Sequence, residues 1–262
     1  MSIRRIAFLP IGHSGVAAAP PANQPAGVSP ERRSAERLDR AGLRGARRRF
    51  TEIFPGRFRD ETYVDWERTY KWQAHELWTE LLGRAELDRL LRRREFREIG
   101  ARAIAVYARP KLNLLALYEW MALREALADP TGARRFAPAL RELVYGAGPY
   151  RPRFEHFIEE LDQLPQRQTR LCKWPVVTLY PFIALPEQHL VVKPNLMKRA
   201  ASTFGADLRY RSRPGWETYA AVLDLAGALR GALADWRPRD MVDIQGFIWV
   251  THSDEYADWP WD

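Results

Sequence analysis

Asp240 and Asp243 stand three positions apart beside an otherwise apolar segment, Met241 to Val250, with Gln245 close behind. On a helix that spacing puts both carboxylates on one face, where a pair of acids can serve proton transfer. Asp243 lies between Val242 and Ile244, so burial is expected. A buried carboxylate needs a partner, because an unpaired charge inside a protein is prohibitively costly. An arginine from the 209–213 stretch is the expected partner, which makes Asp243 and Gln245 candidates for a buried polar centre. A catalytic acid is the other reading of the same residue. Asp240 is expected to stabilise the start of its helix through the helix dipole.

A second set of residues is basic and aromatic. Lys193, Lys198 and Arg199 surround Pro194, a residue suited to the first position of a helix. Leu208-Arg209-Tyr210-Arg211-Ser212-Arg213 then alternates with period two. Read as a strand, it points Arg209, Arg211 and Arg213 to one face, about 6.8 Å apart. With Tyr210 and Trp216 supplying rings, the set could contact phosphates and stacked bases of DNA or RNA. The plainer reading is a solvated strand edge protected by charge. No base-reading motif accompanies the set, so no sequence specificity is expected.

Other chemistries lack their signatures. The single cysteine, Cys172, excludes an internal disulfide and any multi-thiolate zinc site. His13, His75, His156, His189 and His252 are scattered, and the pattern begun by His75-Glu76 ends in Thr79 where a zinc protease needs His. No metal or cofactor is expected. Gly146-Ala147-Gly148-Pro149 has no following Lys-Ser/Thr and is no phosphate loop, and no Gly-x-Ser-x-Gly elbow occurs. Acid–base chemistry on two carboxylates leaves no motif, so whether the chain is an enzyme stays open.

The elements that must position these groups read as helices. In the 262-residue chain, 46% of residues are hydrophobic, ten are Trp, and the formal charge is +8. That composition suits one large core and a polyanionic partner. The 36 arginines against 5 lysines favour phosphate recognition, although a compositional bias gives the same skew. Residues 1–29 read as a flexible tail whose short apolar run does not make an export signal. Residues 30–165 read as a helical region: a basic helix to about Phe50 interrupted by Gly42 and Gly45, then the stripe Tyr63, Trp66, Tyr70, Ala74, Leu77, Leu81, then further stripes over 84–109, 114–127, 133–145 and 154–164. Residues 166–256 read as helices with short strands, at His189–Val192 and Leu208–Arg213, packed on the first region as one unit. The expected fold is therefore mainly α, a multi-helix array with a small two-stranded β element in the C-terminal half. With no run of about 18 apolar residues, no membrane span and a cytoplasmic location are expected.

Thr169 to Phe182, Lys193-Pro194, Pro214 to Tyr219 and Pro238 to Val250, together with Phe58 to Trp78 and Asn113 to Leu123, resemble a family of uncharacterised bacterial proteins. The resemblance covers most of the chain after about residue 45 and implies no activity. The ending Asp243-Ile244-Gln245-x-Phe247-Ile248-Trp249 is also distantly similar to helical segments attached to prokaryotic restriction-type proteins. That similarity favours a nucleic-acid-associated binding protein with a basic C-terminal surface. The alternatives are an enzyme with a pocket near Asp243 and a subunit that binds another protein through its Trp-rich helix faces.

Overall fold

The three- and four-residue apolar spacings do form helices. The computed structural model describes residues 38–108, 110, 112–166 and 169–260. The tail expected over 1–29 and the first turns of the basic helix fall outside them. Asp39 accepts from the Ala41 and Gly42 amides and so caps α1, Arg40–Ile53. Gly42 does not interrupt this helix. It admits another one: a Cβ there would collide with the Thr203 carbonyl.

Glu61–Tyr63, Val64–Arg68 and Thr69–Leu82 run on as one helix, α2, whose middle stretch is a π-helical turn. The stretch expected as one helix over 84–109 is two, α3 (Arg84–Arg92) and α4 (Phe96–Ala108), because Arg94 turns the chain at φ 56°. After them come α5 (Leu117–Ala128), α6 (Pro130–Tyr145), α7 (Tyr150–Asp162), α8 (Trp174–Ala184), α9 (Pro194–Phe204), α10 (Trp216–Ala232) and α11 (Met241–His252). The array α2 to α7 packs pairwise, α2 on α4, α4 on α5 and α6, and α6 on α7. At the centre lies α8, every residue of it buried, against α2, α6 and α7. On the other side, α11 touches α9, α10, the π turn and α1, so the first and last α-helices among the described residues share one core. No described helix is long and apolar enough to cross a membrane.

The two-stranded β element is absent: the described residues contain no strand. Residues 189–192 are extended but buried, and they run through the core with no strand beside them. Side chains satisfy their backbone instead. The Val191 amide donates to Gln245 Oε1 at 3.1 Å, the Val192 amide to Thr178 Oγ1 at 2.9 Å, and the Leu190 carbonyl accepts from the Tyr219 hydroxyl at 3.4 Å. The Arg row fails as a strand for a different reason. Arg209 adopts φ 46°, which breaks the alternation, and Thr218 Oγ1 donates to the Arg209 carbonyl while accepting from the Arg211 amide.

His189 opens the extended segment in an apolar setting. Its ring lies 4.5 Å from that of Tyr150, Nδ1 is 3.1 Å from the Tyr219 hydroxyl, and buried Nε2 has no partner. Burial, reinforced by the Arg153 charge, pushes its pKa down to about 4. The folded chain thus holds a neutral imidazole, whereas the unfolded chain takes up a proton below about pH 6.5. The resulting stabilisation is complete above pH 6.5 and lost as the pH falls towards 4, by about 3 kcal/mol in all. Urea denaturation across this range should show a wild-type slope that His189→Gln lacks. Equal slopes for the two proteins would contradict the assignment.

Candidate functional site

The π turn of α2 decides which side chains enter the core. A π turn adds a residue to the helical turn, and here it brings the neighbouring Glu67 and Arg68 inward, together with Lys71 one turn on. Arg68 forms a fork with Asp240, at 2.6 and 2.8 Å, and reaches Asp243 Oδ1 at 3.2 Å. Arg239 closes on Asp243 from its own helix start, Nε to Oδ2 and Nη2 to Oδ1 both at 2.9 Å, with its amide to Oδ2 at 2.8 Å. The Tyr63 hydroxyl adds a bond to Asp243 at 3.1 Å, and burial followed by the Asp243 charge raises its pKa well above the ordinary value. Gly246 makes room for that ring.

Asp243 therefore has both oxygens occupied, and its counter-charges are Arg68 and Arg239 rather than the 209–213 row. Asp240 accepts from the Val242 amide and caps α11, as its place in the sequence suggests. Gln245 is buried and serves the extended segment. This centre lines none of the larger clefts. Its geometry is structural.

A second buried pair lies behind a cleft. Lys71 Nζ donates to Glu67 Oε2 at 2.8 Å, and the Tyr256 hydroxyl donates to Glu67 Oε1 at 2.7 Å. In front of it, Lys193 Nζ donates to the Asn113 carbonyl at 2.9 Å and lies 4.3 Å over the Trp249 ring. Burial lowers the Lys193 pKa, and the Lys71 charge adds to the effect. The cleft measures about 700 Å³ and is formed by the starts of α5, α8 and α9 and by the end of α11 with the chain after it. Buried Leu114, Leu115, Trp174 and Leu196 make its floor.

The charged side chains of the cleft are Lys173, Lys193 and Arg199 against Glu119, Asp254 and Glu255. Lys173 lies 4.4 Å over the Tyr118 ring. Lys173 and Lys193 occupy the cap positions of α8 and α9, and neither helix start has a side-chain cap. Glu119 accepts from the Ala116 amide at 3.0 Å, and Arg199 forms a fork with Asp254 at 2.5 and 2.9 Å. Arg199, Asp254, Asn195, His252 and Ser253 also border a more open groove of about 810 Å³, which continues past Lys198, Ser202 and Thr203. The two spaces meet at the Arg199–Asp254 pair.

Comparison with protein-family models, curated proteins and solved structures finds no match. Its chemistry rests on its own residues.

The structure gathers part of the basic set. Lys193 and Arg199 line the cleft, Lys198 the adjoining groove, and Tyr210 lies 5.2 Å beneath the Lys198 ammonium. The arginine row is dispersed: Arg209 pairs with Glu217 at 3.5 Å and Arg213 with Asp162 at 2.7 Å, while Arg211 is exposed. Trp216 packs on Tyr150 and Phe154, away from the cleft lining. Sequence reasoning missed Lys173, Glu119, Trp249, His252 and Glu255. The available signal was a lysine just before each proline-marked helix start, Lys173-Trp174-Pro175 and Lys193-Pro194. No group of three or more His, Cys, Asp or Glu side chains suited to a metal occurs among the described residues.

Arg68→Met should destabilise the fold by about 3–5 kcal/mol, because it strands buried carboxylate charge. Adding Asp240→Asn should recover part of the loss, since Asn still caps the helix without a charge. Urea midpoints measured at unchanged slope test both expectations. A double variant no more stable than Arg68→Met would refute the charge argument.

Proposed function

We propose that this chain is a nucleic-acid-binding protein that takes a single strand along the cleft and its adjoining groove. One arrangement carries the reading: three lysines in or beside these spaces each lie over an aromatic ring, Lys173 on Tyr118, Lys193 on Trp249 and Lys198 on Tyr210. Proteins that hold single strands without sequence preference pair cations for the phosphates with rings for the bases. The rim supports this further, since Leu117 is 73% and Tyr118 56% exposed, giving apolar surface beside the charges. Exposed Arg211 and the exposed stripe Arg40, Arg44 and Arg48 on α1 extend the positive surface, and α1 packs directly on α9. The reading uses binding alone and assigns no catalytic residue.

Fluorescence anisotropy with labelled mixed-sequence DNA and RNA strands tests it. Affinity should fall steeply with salt, and Lys173→Gln and Lys198→Gln should each reduce the slope of log affinity against log salt by about 0.7 per lost phosphate contact. Arg92→Gln, on the distant α3, should leave binding unchanged. Absence of binding at low salt, or binding indifferent to salt, would rule the function out.

A further inference from the structure

We infer that the cleft and the apolar start of α5 receive, within the same molecule, the chain's own segment Arg4 to Leu9. The inference goes beyond strand binding and does not depend on it. Of the four large apolar side chains exposed among the described residues, three stand together on the first turns of α5: Leu117, Tyr118 and Met121. An exposed apolar patch rimmed by polar groups marks an interaction site. Tyr118 divides two depressions there. On one side is the cleft, with its floor of Leu114, Leu115, Trp174 and Leu196. On the other is a smaller and more enclosed pocket of about 280 Å³, lined by Tyr118, Met121, Ala122, Glu125 and Thr169.

Charge narrows the occupant. The cleft lining alone is balanced, and Glu125 in the pocket brings the carboxylates to four against the three cations Lys173, Lys193 and Arg199. Arg199 and Asp254 hold each other, whereas Glu119, Glu125 and Glu255 enter no ion pair among the described residues. Lys173, at the border of the two depressions, donates to Thr169 Oγ1 at 3.0 Å. This surface suits a segment that is apolar and carries positive charge. Residues 1–37 contain one: Ile3, Ile6, Phe8 and Leu9 crowd around Arg4-Arg5, while the other charged stretch, Glu31 to Arg37, has no bulky apolar side chain. Phe8 and Leu9 fit the apolar floor. An arginine stem can lie on Met121 and Ala122 while its guanidinium forks to Glu125.

The chain is long enough to bring the segment there. The described residues begin beside the end of α9, where the Asp39 amide donates to the Phe204 carbonyl at 2.9 Å, and the start of α9 borders the cleft. That helix is about 16 Å long, whereas the chain from Leu38 back to Leu9 can span about 90 Å. The docked segment covers Tyr118, so it and a nucleic-acid strand exclude one another in the cleft.

The test places a photo-crosslinker beside the segment in the full chain, as Pro10→p-benzoylphenylalanine, and maps its adducts by mass spectrometry at low protein concentration. Adducts should fall within one chain, on residues 114–125 or on the other walls of the cleft. Phe8→Asp should abolish them. Glu125→Arg, at an exposed position that leaves the core intact, should lower their yield about threefold, the effect of one exposed ion pair. Adding Arg4→Glu and Arg5→Glu to Glu125→Arg should restore the yield. Adducts scattered over the surface, no adducts, or a yield indifferent to Phe8→Asp would overturn the inference. Adducts that join two chains would overturn it in favour of a second copy as the occupant. Strand binding is read separately by the anisotropy, so either conclusion can fail without the other.

Discussion

The buried charge cluster joining α2 to α11 is the constraint on which this fold depends. Two arginines and two aspartates meet with one tyrosine, and three of the charges, Arg68, Asp240 and Asp243, are buried where none could stand alone. The π turn is part of the same constraint, because it is the local geometry that turns Arg68 inward beside Glu67. A regular helix would set neighbouring residues about 100° apart. The cluster therefore fixes both the rotation of α2 and the position at which α11 begins, and it ties residues near 68 to residues near 240.

From that anchor α11 works as a spine. Asp243 holds the cluster, Gln245 holds the extended segment through the Val191 amide, Gly246 admits Tyr63, and Trp249 meets Lys193. The extended segment leads straight into Lys193 and α9. Thr178 on α8 holds the Val192 amide. Gln245, Thr178 and Asp243 each answer an otherwise unpaired backbone group or charge, whereas His189 keeps Nε2 without a partner. The position of Lys193 at the cleft follows from these bonds.

Much of the helical scaffold was legible because its signal is local. Periodic apolar residues marked α2, α5, α6 and α7, and the segment from Met241 to Val250, apolar but for Asp243 and Gln245, is a helix as expected. The strands were misread because alternation alone cannot show what satisfies the backbone. Val191 and Val192 look like a strand in sequence, yet their partners are side chains from residues 245 and 178. Arg209 illustrates a second blind spot, a single left-handed residue that cancels a period-two pattern. The burial of Asp243 followed from its neighbours, but its partners did not. Arg68 stands outside the apolar stripe that marks its helix, and the π turn brings it in. The cleft was half legible: Lys193, Lys198 and Arg199 are close in sequence, whereas Lys173, Glu119 and Trp249 arrive from three other helices.

The two charge systems, the core cluster and the cleft, are adjacent but unlike. In the core, Asp243 is saturated by five donor contacts from Tyr63, Arg68 and Arg239, which leaves nothing to offer a ligand. In the cleft, Lys193 has one carbonyl and one indole face, so its ammonium retains donors. Burial lowers the Lys193 pKa and the Lys71 charge adds to it, while Glu255, Glu119 and Glu67 act in the opposite direction. A cation held in this way gains more from an arriving anion than a freely hydrated surface lysine does, since part of its hydration has already been given up on folding. The saturated cluster sets the frame, and the unsaturated lysine is what the frame presents.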